Sequence, residues 1–179
     1  MIDKKIILCD ADDVIENFCD TWIEYLNSKY GTRVLIEDIV DWDIRKAFPE
    51  LTSDQIFSPT YEKTFWNRIE AMPGCYEILK MINTLHSLYI VTASNYQTCD
   101  VKIEKILKLY PFLNWDQFVI TSKKQLVFGD YLIDDGVHNL EGGHYKGILF
   151  DRPHNRLFDE NAAGITRVRS WDEIGQILL

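Results

Sequence analysis

The chain has 179 residues, 46% of them hydrophobic and 26% charged, which is the composition of a globular domain with a substantial core. Its apolar runs fall far short of the roughly 20 residues needed to cross a bilayer, which excludes a membrane-spanning role. A formal net charge of −9 argues against a nucleic-acid polymer as partner, but not against a small phosphate ester held by local groups.

In chain order, Asp3, Lys4 and Lys5 lead directly into a strand-length apolar run, a pattern unlike a signal peptide. The cysteines (Cys9, Cys19, Cys75, Cys99) form no CxxC pair, so reduced thiols and a cytoplasmic location are expected. The first strand, Ile6–Leu8, delivers Asp10 and Asp12 to its C-terminal end, where open α/β sheets bind ligands. Two carboxylates there repel each other, and a divalent cation would relieve that. Taken alone, the pair equally suits a solvated turn.

From about Glu16 to Met72 the sequence has no β-run but is rich in aromatics, among them Phe18, Trp42, Phe65 and Trp66. Helices are expected over about Ile15–Ser28 and Tyr61–Asn67. The segment reads as a small helical cap, residues 16–72, inserted into a core of residues 1–15 and 73–179. Beyond Pro73-Gly74, apolar residues at helical spacing (Ile78, Leu79, Ile82, Leu85; then Ile103, Ile106, Leu107, Tyr110) alternate with strands at Leu88–Val91, Phe118–Ile120, Tyr131–Ile133 and Gly147–Phe150. Continuous apolar strands alternating with helices predict a doubly wound, Rossmann-like parallel sheet.

A second acidic pair, Asp134-Asp135, closes the Tyr131–Ile133 strand. Thr92 and Ala93 follow Leu88–Val91, and Lys124, with Lys123 as a competitor, follows Phe118–Ile120. His86, His138, His144 and His154 share no metal-ligand spacing and read as surface or structural residues. Ser170 suits an N-cap, with Trp171 packing the final helix.

The ordered set (strand-Asp-x-Asp, helical insertion, strand-Thr, Lys, strand-Asp-Asp) resembles the haloacid dehalogenase (HAD) superfamily. Asp10-Ala11-Asp12-Asp13-Val14-Ile15-Glu16-Asn17-Phe18, with Phe65-Trp66 to Met72-Pro73-Gly74, Ile120-Thr121 to Asp134-Asp135, His154-Asn155 and Ser170-Trp171, is similar to the 5′(3′)-deoxyribonucleotidase family across nearly the whole chain. The resemblance implies a Mg²⁺-dependent phosphatase of (deoxy)ribonucleoside monophosphates working through an aspartyl-phosphate. By it, Asp10 is the nucleophile and Asp12 the general acid/base. Thr92, Ala93 and Lys124 hold the phosphate. Mg²⁺ is bound by Asp10, the Asp12 carbonyl and Asp135, with Asp134 acting through water. Phe18, Phe65 and Trp66 contact the substrate base.

This chain departs from the family pattern at Asp13 in place of Gly, at Asn95-Tyr96 in place of a lysine, and at Ser122-Lys123 in place of Arg-Asp. These changes bear on substrate preference. A phosphatase or phosphotransferase for another small ester, and a non-catalytic binding module on the same fold, are the competing readings. A dehalogenase would need neither Asp12 nor the Asp134-Asp135 pair.

Overall fold

A computed structural model describes residues 3–179, so the first two residues of the 1–15 segment lie outside it. Six parallel strands form one sheet in the order β3-β2-β1-β4-β5-β6: β1 Ile6–Cys9, β2 Ser87–Thr92, β3 Phe118–Ile120, β4 Tyr131–Asp134, β5 Lys146–Phe150 and β6 Thr166–Val168. The expected doubly wound α/β architecture is therefore present. The helices are α1 Phe18–Tyr30, α2 Ser53–Phe57, α3 Lys63–Trp66, α4 Cys75–Leu85, α5 Cys99–Leu109, α6 Val137–Leu140, α7 Glu160–Ala163 and α8 Trp171–Leu178.

The inner strands β1, β2, β4 and β5 read as apolar runs because both faces are buried. On one face Ile7, Cys9, Ile90, Ile133 and Ile148 pack against α4, α5 and α8. On the other, Leu8, Val91, Leu132 and Leu149 pack with Leu140 and Ile165. β6, absent from the sequence expectation, is a short edge strand, Thr-Arg-Val, with too little apolar content to signal itself.

Chain direction across the sheet reverses at β1 and β4. From β1 the chain builds β2 and β3 on one side, then returns to lay β4, β5 and β6 on the other. Cys9 pairs with Ile133, and the Asp10 amide donates to the Ile133 carbonyl at 2.9 Å, so the two acidic pairs emerge side by side. That is the crevice where open α/β sheets take ligands.

Between β1 and α4 the chain is helical and builds its own apolar cluster, with Trp22, Leu26, Phe48, Ile56, Phe65, Trp66 and Ile69 buried in it. α1 starts at Phe18, three residues later than expected, because the preceding backbone is used elsewhere. The Asn17 amide donates to the Glu70 carbonyl and the Met72 amide to the Ile15 carbonyl, both at 2.8 Å, so outgoing and returning chains pair with each other. The expected Tyr61–Asn67 helix is split: a 3₁₀ turn over Ser58–Tyr61 precedes α3, with Glu62 extended between them.

The outgoing segment is also pinned from the core. The buried Trp171 indole N–H donates to the Val14 carbonyl at 2.9 Å, and the Tyr110 hydroxyl donates to the Ile15 carbonyl. Ser170 caps α8 by accepting from the Glu173 amide. Trp171→Ala would empty a buried indole volume and orphan the Val14 carbonyl. It is expected to destabilise the fold by about 3–5 kcal/mol in urea denaturation; a loss below about 1 kcal/mol would contradict this packing role.

Candidate active site

A cavity of about 340 Å³ lies between the carboxyl ends of the strands and the helical segment. Its polar wall includes Asp10, Asp12, Asp13, Lys124, Asp135 and His154; Phe18, Trp22, Ile39, Trp42 and Ile44 supply apolar wall. One carboxylate oxygen each of Asp10, Asp134 and Asp135 converges within 4.8 Å.

Lys124, rather than the exposed Lys123, enters this cluster. Its buried ammonium lies 2.7 Å from Asp10 Oδ1 and 2.6 Å from Asp134 Oδ2. Burial disfavours its charge, yet Asp10 and Asp134 more than offset this and raise its pKa. Asp134 Oδ1 accepts from the Gly136 amide at 2.8 Å and the Asn139 side chain at 3.1 Å, so both its oxygens already have protein partners. Asp135 lies 3.3 Å from His154 Nε2, and its carbonyl accepts from Asn155 Nδ2 at 2.9 Å.

The carboxylates outnumber their cations, and burial is the largest cause of their raised pKa values. Asp10 is shifted up against the pull of Lys124. Asp134 rises to about 6 through burial and the like charge of Asp10. Asp13 rises to about 7 through burial despite Arg152. Such a charge-deficient set of hard oxygen donors suits a divalent cation such as Mg²⁺.

Asp13 adopts φ 58°, in the left-handed region where glycine is common and Asp is among the better-tolerated residues. Its side chain secures the turn, since Oδ1 accepts from the Cys19 amide at 2.9 Å and from Arg152 at 3.3 Å. Arg152 also reaches Asp20 of α1 at 3.1 Å.

Asp12 is held differently from Asp10. The ammonium of Lys102, a fully buried residue of α5, lies 2.7 Å from Asp12 Oδ2, 2.9 Å from Thr92 Oγ1 and 3.1 Å from the Ala93 carbonyl. Glu16, also fully buried, approaches the same ammonium at 4.0 Å. The sequence reading passed over Lys102 and Glu16. The available signal was a lysine four residues before Ile106, on the apolar stripe of an amphipathic helix.

Several expectations need correction. Thr92 is buried beneath Lys102 and does not line the cavity, whereas Ala93 does. Phe65 and Trp66 are drawn into the apolar cluster of the helical segment, leaving Phe18 at the cavity, stacked on Trp66 at 5.4 Å. His138 and His154 belong to the cavity wall, joined by Trp42, whose ring meets theirs edge-on at 4.6 and 5.3 Å. Their partners are a carboxylate and an aromatic ring, so metal-ligand spacing could not reveal them. His86 is structural, bonded to the Leu178 carbonyl at 2.7 Å, and His144 is exposed against Phe128. Among the described residues no helix is long and apolar enough to cross a membrane.

Residues 4–179 match the family model described as 5′ nucleotidase, deoxy (pyrimidine), cytosolic type C protein. A 5′(3′)-deoxyribonucleotidase of Bacillus subtilis is 32% identical over 178 residues, covering 98% of this chain and 99% of the relative. One from Clostridium acetobutylicum is 29% identical, covering 96% and 93%. Solved structures share the fold at lower identity. The HAD-hydrolase YfnB of Bacillus subtilis, determined bound to magnesium, superposes with a TM-score of 0.63 at 14% identity over 98% of each chain. The haloacid dehalogenase-like protein SP0104 of Streptococcus pneumoniae gives 0.66 at 12% identity over 100% of each.

The raised pKa values carry a thermodynamic consequence. An acid whose folded pKa exceeds its unfolded value favours folding while protonated, and that contribution disappears as pH climbs through the folded pKa. For Asp13 and Asp134 the window runs from their ordinary 3.8 to about 7 and about 6. His154, raised by Asp135 against the effect of burial, loses its contribution in the same direction. In the presence of a chelator, the thermal midpoint should fall from pH 5 to pH 8. A flat or rising midpoint in a pH series would refute this account of the cluster.

Proposed function

The chain belongs to the deoxy (pyrimidine), cytosolic type C 5′-nucleotidase family and is a phosphoric monoester hydrolase, and we propose that it hydrolyses deoxyribonucleoside monophosphates through an aspartyl-phosphate on Asp10. The observation that carries this reading is the pair of differently held carboxylates on one cavity wall. Asp10 faces Lys124 inside a convergent acidic cluster, while Asp12 stands outside that cluster against Lys102.

In the first step the Asp10 carboxylate attacks phosphorus, the ester P–O bond breaks, and Asp12 gives its proton to the departing alkoxide. An alkoxide is a poor leaving group, so a positioned acid contributes ~10²–10⁴-fold. In the second step water attacks the acyl phosphate. Asp12 takes the water's proton, and inorganic phosphate leaves with the Asp10 carboxylate restored. Lys124 and the Ala93 turn neutralise and orient the phosphoryl oxygens, which is most of what this chemistry asks of a protein. Thr92 supports that turn through Lys102.

Asp10, Asp135 and the Asp12 carbonyl would hold Mg²⁺, with Asp134 acting through water. The ion would supply positive charge to the transferring group and to the acidic cluster. The helical segment, residues 16–72, serves as a cap, and its Phe18, Trp22 and Trp42 offer apolar surface for a nucleobase. The cavity suits a small nucleotide. A phosphotransferase reading finds no added support.

Turnover of a panel of nucleoside monophosphates and p-nitrophenyl phosphate tests the proposal. Activity should require Mg²⁺, disappear with chelator and return on its addition. Asp10→Asn should abolish turnover without loss of fold; retained activity would reject the nucleophile. Phe18→Ala should weaken nucleotide binding by ~1–3 kcal/mol and leave p-nitrophenyl phosphate nearly unaffected. An equal effect on both substrates would remove base stacking from the account.

A further inference from the structure

Lys102 is the least expected residue of the site. A fully buried lysine is tolerated only when its charge is matched and its donors are engaged. Here the three donors of an ammonium have three close acceptors: Asp12 Oδ2, Thr92 Oγ1 and the Ala93 carbonyl. Glu16 lies 4.0 Å from that ammonium without a hydrogen bond to it, and neither of its oxygens has a hydrogen-bond donor. On its remaining side the ammonium faces the Trp66 ring, 5.1 Å from the centroid, and Trp66 in turn stacks on Phe18.

The arrangement divides the two lysines between the two carboxylates that emerge from β1. Lys124 contacts Asp10 and Asp134; Lys102 contacts Asp12. Asp12 is nevertheless part of the cavity wall, with a side chain 30% exposed; Lys102 grips its Oδ2, while Oδ1 is buried without a hydrogen-bond partner. It does so from α5, a helix of the core, while touching an aromatic of the helical segment.

We propose that Lys102, backed by Glu16, is a positioning residue that fixes the Asp12 carboxyl for proton transfer to the leaving group and ties it, through Trp66, to the packing of Phe18. This rests on the reading of Asp12 as general acid. Lys102 itself touches no substrate. It acts by restricting where the Asp12 carboxyl sits, and a small displacement of such a group costs a large part of its effect.

The test compares kcat/KM, which reports phosphoryl transfer to the enzyme, on a deoxyribonucleoside monophosphate and on p-nitrophenyl phosphate. Nitrophenolate leaves without protonation and an alkoxide does not. Lys102→Met should lower kcat/KM on the nucleotide by ~10²-fold or more and on p-nitrophenyl phosphate by less than about 5-fold. In an Asp12→Asn background, Lys102→Met should add no more than about a 2-fold further loss on the nucleotide, because the two residues act as one unit. Equal losses on both esters, or additive losses in the double variant, would overturn the proposal while leaving the phosphatase reading intact. A wild-type enzyme inactive on both esters would overturn both. Circular dichroism controls for folding. If Lys102→Met does not fold, Glu16→Gln/Lys102→Met, which removes the buried carboxyl left without its cation, is held to the same criteria.

Discussion

Burying several carboxylates at one sheet edge is costly, and this constraint organises the rest of the molecule. Asp10, Asp13, Glu16, Asp134 and Asp135 are all buried where β1 and β4 end. Each cation that answers them comes from a different part of the chain: Lys124 from the loop after β3, Lys102 from α5, Arg152 from the turn after β5. The cations are fewer than the carboxylates, yet they have an architectural effect. They draw three separate connections onto the same crevice, and Arg152 carries the tie onward to Asp20 of α1. A chain with this edge neutralised would lose the main reason for its loops to converge there.

The same economy governs the junction between the helical segment and the core. Residues 14–17 and 70–72 pair with each other, and the core grips that junction through Trp171 and Tyr110. Aromatic side chains from α8 and from the end of α5 thus fix the backbone that leads from Asp12 to Phe18. The chemistry on β1 and the apolar wall above it are coupled through main-chain hydrogen bonds, and Lys102 provides a second coupling through Trp66.

What the sequence made legible follows from how far each signal reaches. Four strands were readable because burial on both faces writes an uninterrupted apolar run; β3, a half-buried edge strand, still reads Phe-Val-Ile, whereas β6 carries Arg167, committed to Asp151 and Glu160, and offers no such run. Asp10, Asp12, Asp134 and Asp135 were readable from their places at strand ends, and Lys124 from its order among them. Lys102 was not, since its partner Asp12 lies ninety positions away and a lysine in a helix ordinarily points to water. His154 escaped for a related reason: its meaning depends on Asp135, which only the turn after β5 brings within reach. Phe65 and Trp66 show the opposite failure. Their composition marked them as apolar surface, but only three-dimensional packing could tell a wall from the cluster behind it.

The position of β1 has a bearing on how the protein is made. The strand that leads into Asp10 is the first of the six to be synthesised, yet it lies in the middle of the sheet, and its two neighbours, β2 and β4, emerge much later. The indole that holds the Val14 carbonyl arrives only with the last helix. During translation the acidic strand therefore waits for β2, which ends at Thr92, and for Lys102, Lys124 and β4, which follow it in the second half of the chain. Its contacts are long-range in sequence, which makes the final closure slow relative to helix formation. A nascent chain that has not reached Asp135 lacks part of the carboxylate cluster at the cavity.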